Sequence, residues 1–82
     1  MTDNTQSDLL TIYEIAAYAL ETDDANDCIS ISTLSSTLAI NLIAHYQRLG
    51  YIKIILHIGD LLSNGTAVFH DRIDVTHATP SI

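Results

Sequence analysis

The side chains in this sequence that could do chemistry are one cysteine, Cys28, and four histidines at positions 45, 57, 70 and 77. Structural zinc takes four ligands from Cys, His and carboxylates, commonly in closely spaced pairs. Neither a Cys-x-x-Cys nor a His-x-x-x-His spacing occurs in this chain. We therefore expect hydrogen-bonded or solvent-facing histidines and no bound metal.

A nucleophilic role for Cys28 would need a histidine partner and an electropositive, partly exposed setting. Cys28 instead comes directly before an apolar segment, which favours a buried and inert thiol. Glycine-rich phosphate loops, the nucleophile elbow and the zinc-protease motif do not occur either. The sequence therefore predicts a protein that is not an enzyme and that uses no cofactor.

Acidic residues outnumber lysine and arginine by ten to three, which gives a net charge of −7. A solvated face is the ordinary explanation for clustered acids. The alternative is that the carboxylates imitate phosphates and occupy a basic nucleic-acid channel on another protein, from which like-charge repulsion excludes nucleic acid. Seven of the ten acids come before residue 28, namely Asp3, Asp8, Glu14, Glu21, Asp23, Asp24 and Asp27.

Residues 21–27 could be mistaken for a calcium loop. An EF-hand needs oxygen ligands at alternating positions, glycine at the sixth position and glutamate at the twelfth. No register of this segment supplies that set, because the twelfth residue counted from Asp24 is Ser35. We expect a solvated acidic loop without calcium.

The elements that position these acids begin with a predicted helix over residues 8–21. Ser7 is a suitable N-cap, and the apolar residues that follow at helical spacing are Leu9, Ile12, Tyr13, Ala16, Ala17 and Leu20. Acidic and aromatic side chains would lie on the opposite face. The predicted partner-binding residues lie in this helix and in the loop after it: Asp8, Glu14, Tyr18, Glu21, Asp23, Asp24 and Asp27.

A short strand over residues 29–32 and a helical segment over residues 33–49 are predicted next. Ile and Ser alternate in the strand, and Ser32 or Thr33 is expected to cap the helix. One helix and two helices broken near residue 40 both fit the pattern, and Gly50 is a natural end. The leucines that share one face of this segment are Leu34, Leu38, Leu42 and Leu49.

The last third of the chain predicts a long β-hairpin. Residues 51–58 alternate in the manner of a strand, and Asn64-Gly65 is a strong signal for a two-residue turn. Such a turn pairs residues whose numbers add up to 129. The expected pairs include Leu56 with Ile73 and Leu62 with Ala67.

This register has two further consequences. Polar residues fall opposite apolar ones close to Gly59, which indicates a bulge there. His57 and His70 become diagonal neighbours, so a metal ion shared by this pair stays open as an alternative. The apolar side of the second strand is expected to consist of Ala67, Phe69, Ile73 and Val75.

The order of elements resembles the winged helix-turn-helix superfamily over roughly residues 8–77. The matching segments are residues 29–32, residues 34–41, and the Leu49-Gly-Tyr-Ile52 exit into a hairpin. The resemblance implies a small α+β winged-helix-like domain with an N-terminal helix, a short strand, a helix or helix pair, and a C-terminal β-hairpin. It also implies a recognition helix that enters a DNA groove.

Two departures from the family count against DNA as the partner. The segment in the place of the recognition helix, residues 42–49, begins with apolar residues where base-reading side chains normally lie. Arg48, Lys53 and Arg72 are the whole supply of lysine and arginine for neutralising phosphates. We therefore expect the surface around residues 42–49 to bind a protein rather than a nucleic acid.

The interpretation that fits best is a small acidic, non-enzymatic protein–protein interaction module. It would be an inhibitor or adaptor that binds a basic nucleic-acid-handling protein, similar in type to phage anti-defence proteins such as anti-CRISPR proteins. The alternative is a dimeric winged helix-turn-helix transcriptional regulator. Apolar residues make up 48% of the chain, more than one small core needs, and this surplus suggests a homodimer.

Length and composition also limit the domain organisation and the location. The 82 residues make a single domain, 1–82, with flexible tails expected at 1–6 and 78–82. The first residues are polar and acidic, unlike a signal peptide. No window approaches the roughly 18 apolar residues of a membrane span. We expect no membrane association and a cytoplasmic location.

Overall fold

The computed structural model describes residues 10–19 and 28–82. These residues form a β-rich α+β fold, in which four antiparallel strands make one sheet and a single helix packs against one face. The strand order is β2-β1-β3-β4. In chain order the elements are β1 (Leu10–Tyr18), β2 (Cys28–Thr33), α1 (Ser36–Leu49), β3 (Lys53–Leu61) and β4 (Ala67–Asp74).

The predicted N-terminal helix is wrong, because its described residues form the central strand β1. This strand pairs with β2 on one side and with β3 on the other. Three successive residues, Ile15, Ala16 and Ala17, are buried. A strand buried on both faces carries an uninterrupted apolar run instead of alternation, and such a run contains helical spacings by coincidence. Sequence periodicity cannot separate the two cases.

The winged-helix-like fold class is therefore also wrong. That architecture needs helices before the hairpin, whereas residues 36–49 are the only α-helix among the described residues. The described part of the segment expected to supply the first helix, β1, lies in the middle of the sheet. The hairpin is two of the four strands of a continuous sheet rather than a wing attached to a helical body.

The segment after β2 is one helix, which decides between the two alternatives. The Ser35 hydroxyl caps α1 by accepting a hydrogen bond from the Leu38 N–H at 3.1 Å. The cap is not Ser32 or Thr33, because β2 continues through Thr33. Gly50 ends the helix in the left-handed region at φ 86°, as predicted.

The core lies between α1 and one face of the sheet. The buried residues of α1 are Ala39, Ile43 and Tyr46. Of the leucines predicted to share one face, Leu42 packs against this core while partly buried. Leu38 and Leu49 are 48% and 60% exposed. The residues that form the core with the helix are Ile15, Ala17, Ile54, Leu56 and Val75.

The hairpin loop is one residue longer than predicted. The Gly65 N–H donates to the Leu62 carbonyl at 2.9 Å, and the Leu62 N–H donates to the Thr66 carbonyl at 2.8 Å. Gly65 has a φ of 87°, which is typical of a three-residue loop ending in a left-handed residue. Leu61, and not Leu62, consequently lies opposite Ala67.

A bulge then returns the hairpin to the predicted register. Gly59 pairs with Phe69, whereas Ile58 pairs with Asp71, so His70 is the extra residue. Beyond this point Leu56 lies opposite Ile73, and the predicted bulge near Gly59 is confirmed. The bulge also means that Phe69 and Ala67 lie on the opposite face from Ile73, contrary to prediction.

Candidate interaction surface

Strands β1, β3 and β4 place a row of polar side chains on the face of the sheet opposite α1. His57 on β3 lies between Glu14 on β1 and Arg72 on β4. Its Nδ1 atom is buried without a hydrogen bond, and the nearest carboxylate oxygen, Glu14 Oε1, is 3.5 Å away. The His57 ring also lies 5.9 Å from the Phe69 ring. The His57 side chain thus lies close to side chains of both neighbouring strands, Glu14 on β1 and Phe69 on β4.

The second histidine of the predicted pair has its own carboxylate neighbours. His70 Nδ1 lies 3.1 Å from Asp71 Oδ2, and His70 Nε2 lies 3.9 Å from Asp60 Oδ1. Within residues 10–19 and 28–82, no group of three or more His, Cys, Asp or Glu side chains is arranged to hold a metal ion. The described residues thus give no support to an ion shared by His57 and His70.

A cleft of about 370 Å³ opens at the end of the sheet, and two of the polar side chains that line it, Asp74 and Thr76, are hydrogen-bonded to each other. Asp74 Oδ1 accepts hydrogen bonds from the Thr76 N–H at 2.9 Å and the Thr76 hydroxyl at 2.6 Å. These bonds from Thr76 are the main reason why the pKa of Asp74 lies below its ordinary value. The Thr76 hydroxyl accepts in turn from the Ile54 N–H at 3.0 Å. The contacts close the end of β4 onto β3.

Two of the predicted partner-binding residues, Glu14 and Tyr18, lie on β1 and share the sheet face opposite α1. A separation of four residues keeps two side chains on one face in a strand as well as in a helix. Tyr18 also packs beneath Lys53, whose Nζ atom is 4.8 Å from the ring centre. The remaining predicted contacts lie outside the described residues: Asp8, Glu21, Asp23, Asp24 and Asp27.

Tyr46 and Tyr51 are further candidates for contact anchors by residue type, and the structure places them in or against the core. Tyr46 is 6% exposed. The Tyr51 ring meets it edge-on, with the ring centres 5.5 Å apart. This pair therefore holds the end of α1 against the sheet, and Tyr46 has little surface left for a partner.

Charge is divided unevenly along the chain. The described residues contain four of the ten acids, Glu14, Asp60, Asp71 and Asp74, together with all three lysines and arginines. Four acids against three basic residues give the described residues a net charge of −1. The other six acids, ten minus four, fall within residues 1–9 and 20–27. The acidic excess thus belongs to the two segments that flank β1 in sequence.

The sequence indicated surplus apolar surface without placing it on an element, and the structure exposes part of it at the β2 edge of the sheet. Four side chains define this β2-edge surface, and each is 41–50% exposed: Ile29, Ile31, Leu34 and Leu38. The two isoleucines pair opposite Ala17 and Ile15, which places them on the α1 side. A signal was present, because residues 28–47 contain no Asp, Glu, Lys or Arg.

Comparison with protein-family models, with curated proteins and with solved structures finds no match to this chain. Among the described residues, no helix is long and apolar enough to cross a membrane. The features of the molecule that bear on function are its charge distribution and the β2-edge surface.

Proposed function

We propose that this chain is a small acidic protein-interaction module without enzymatic activity. It binds a basic, nucleic-acid-handling protein as an inhibitor or adaptor, acts as a homodimer and works in the cytoplasm. The observation that carries the proposal is the separation of charge from apolar contact area. A nearly neutral scaffold presents exposed leucines and isoleucines, while six of the ten acids are concentrated in residues 1–9 and 20–27.

The acids supply the attraction to the partner. Carboxylates clustered on a chain of net charge −7 raise the rate of encounter with a basic surface and suppress binding to acidic ones. Asp23, Asp24 and Asp27 are the densest group. Bound in a basic channel, they exclude nucleic acid by occupying the same positive charges, and this requires no chemistry from the module.

The arrangement of cations also favours a protein partner over DNA. Lys53 and Arg72 project from the sheet face opposite α1, whereas Arg48 lies in the last turn of α1 on the other side. DNA binding takes several lysines or arginines on one continuous surface, because affinity grows with the number of phosphates neutralised. These three residues do not form such a surface.

Charge reversal tests the proposal. The variant Asp23→Lys/Asp24→Lys/Asp27→Lys should capture the protein partner from a cell lysate at least about tenfold less well than wild type, which corresponds to about 1.4 kcal/mol. Its binding should also depend less on salt. The control variant Asp60→Lys/Asp71→Lys reverses acids in the hairpin and should bind normally.

Competition then identifies the kind of partner surface. An oligonucleotide added to the complex should release the captured partner, because both ligands occupy the same positive charges. Capture that neither the triple variant nor the oligonucleotide affects would contradict the proposal. A complex of the chain itself with DNA in a low-salt gel shift would favour a DNA-binding regulator instead.

A further inference from the structure

We infer that the outer edge of β2 is the surface through which two copies of this chain associate. The two β2 strands pair antiparallel about a two-fold axis and join two four-stranded sheets into a single sheet of eight strands. This inference rests on the homodimer in the proposed function and names its interface. Within residues 10–19 and 28–82, no strand pairs with this edge of β2.

The two edges of the sheet differ in the way expected if only one of them is used. β4 carries Asp71, Arg72 and Asp74 together with the bulge at His70, and charges and bulges are the usual devices that prevent edge-to-edge pairing. β2 has none of these devices. Its sequence, Cys-Ile-Ser-Ile-Ser-Thr, contains no charge, proline or glycine, and its pairing with β1 is regular along all six residues.

The alternation of β2 restricts how two copies can pair. Antiparallel strands place directly opposed residues on the same face, so isoleucines meet isoleucines only if the paired residue numbers add up to an even number. The register centred on Ser30 places Ile29 of each copy opposite Ile31 of the other. Both apolar pairs then lie on the α1 side, and the serines face the opposite side.

The start of α1 extends the same contact. Leu34 and Leu38 are half-exposed next to β2, so two copies related by the axis would cover all four residues of the β2-edge surface. A self-complementary interface must also avoid placing a charge against its own copy. Residues 28–47 contain no Asp, Glu, Lys or Arg, and a chain of net charge −7 can approach a second copy most closely there.

Light scattering after size exclusion tests the inference directly. The wild-type chain should have twice the monomer mass of 9.0 kDa, and Ile31→Lys should halve the measured mass without changing the far-UV circular dichroism. The matched control is Val68→Lys, which is 50% exposed on the opposite edge and should remain dimeric. A monomeric wild type, or a dimeric Ile31→Lys variant, would overturn the inference.

Cross-linking provides a readout that holds even if Ile31→Lys fails to fold. Ser30→Cys in a Cys28→Ser background places two thiols opposite each other at the axis, so mild oxidation should convert most of the chain into a covalent dimer. Ser63→Cys in the same background, in the hairpin loop, should remain monomeric on a denaturing gel. Equal cross-linking of the two variants would contradict the Ser30-centred register.

The two proposals fail in different ways. If the dimer forms through β2 but reversing Asp23, Asp24 and Asp27 leaves partner capture unchanged, the proposed function is wrong and the interface stands. If Ile31→Lys remains dimeric while the triple variant loses its partner, the interface is wrong and the interaction function stands.

Discussion

Gly59 on β3 lies opposite Phe69 on β4, next to the bulge. A Cβ atom at this position would be 2.6 Å from the Phe69 Cα and would also overlap the Val68 carbonyl. These neighbours are backbone atoms, so neither can rotate away. The approach of the β4 backbone therefore requires glycine at position 59.

We expect Gly59→Ala to lower the free energy of unfolding by about 3 kcal/mol, because the strands must separate to admit the methyl group. Gly65→Ala is the control. Its φ of 87° strains any side chain, but no atom lies within 4 Å of the added Cβ, so the loss should be about 1 kcal/mol. Urea denaturation of both variants measures the difference. Equal losses would show that crowding at Gly59 is unimportant.

Asp74 should make stability depend on pH in the acidic range. Its folded-state pKa is lowered from 3.8, chiefly by the hydrogen bonds from Thr76, so the ionised form stabilises the fold. This stabilisation is present above pH 3.8 and is lost as the pH falls through the lowered pKa. The difference in the free energy of unfolding between wild type and the Asp74→Asn variant should therefore decrease as the pH is lowered.

Thr76 supplies the control for this pH dependence. In a Thr76→Val background the hydroxyl donor to Asp74 is missing. In that background, the difference in the free energy of unfolding between the protein with Asp74 and the Asp74→Asn variant should be smaller at neutral pH. Chemical denaturation of the four proteins at pH 7 and at steps down to pH 3 measures both effects. A gap that is constant across this range would exclude a role for the Asp74 charge.

At the scale of elements, the hairpin combines two one-residue shifts that cancel. The three-residue loop pairs residues adding up to 128, and the extra residue His70 restores 129 from Ile58 onward. The shift at His70 is what places Ile73 on the face that α1 covers. Loop length and bulge thus act together to set the register.

Deleting His70 should remove the bulge while leaving the pairs on both sides of it intact. We expect this variant to fold with a melting temperature within about 8 °C of wild type, equivalent to a loss of about 1 kcal/mol or less. Deleting Arg72 instead shifts Ile73 to the other face, which should cost several times more. Thermal unfolding followed by circular dichroism compares the two. Equal destabilisation would refute the assignment of His70 as the extra residue.

At the scale of the whole molecule, salt should act in opposite directions on the two proposed interactions. Two chains of net charge −7 repel each other, so raising the salt from 50 to 500 mM (the Debye length falls from roughly 14 Å to 4 Å) should tighten the dimer. The same change should weaken binding to a basic partner. Analytical ultracentrifugation measures the dissociation constant of the dimer, and calorimetry measures that of the complex with the partner. If added salt moved both constants in the same direction, the assignment of the acids to partner binding and of the uncharged β2 edge to dimerisation would be contradicted.

Local signals in the sequence determined several parts of this fold. Ile–Ser alternation predicted β2, Gly50 predicted the end of α1, and mismatched pairs predicted the bulge near Gly59. Each depends on neighbouring residues or on the fixed period of a strand. The placement of Glu14 and Tyr18 on one face also follows from spacing alone, because four residues return to the same side in either type of element.

Only the tertiary structure decided what covers each apolar residue. β1 is a strand because β2 and β3 pair with it on both sides, although its apolar run also fits a helix. Tyr46 is buried and Leu38 is exposed because α1 packs on the sheet through its alanine and isoleucine face. The β2-edge surface follows from that choice. The apolar pattern of a sequence indicates which side chains are candidates for burial. Packing between segments that are distant in sequence decides which of them are buried and which stay exposed on the surface.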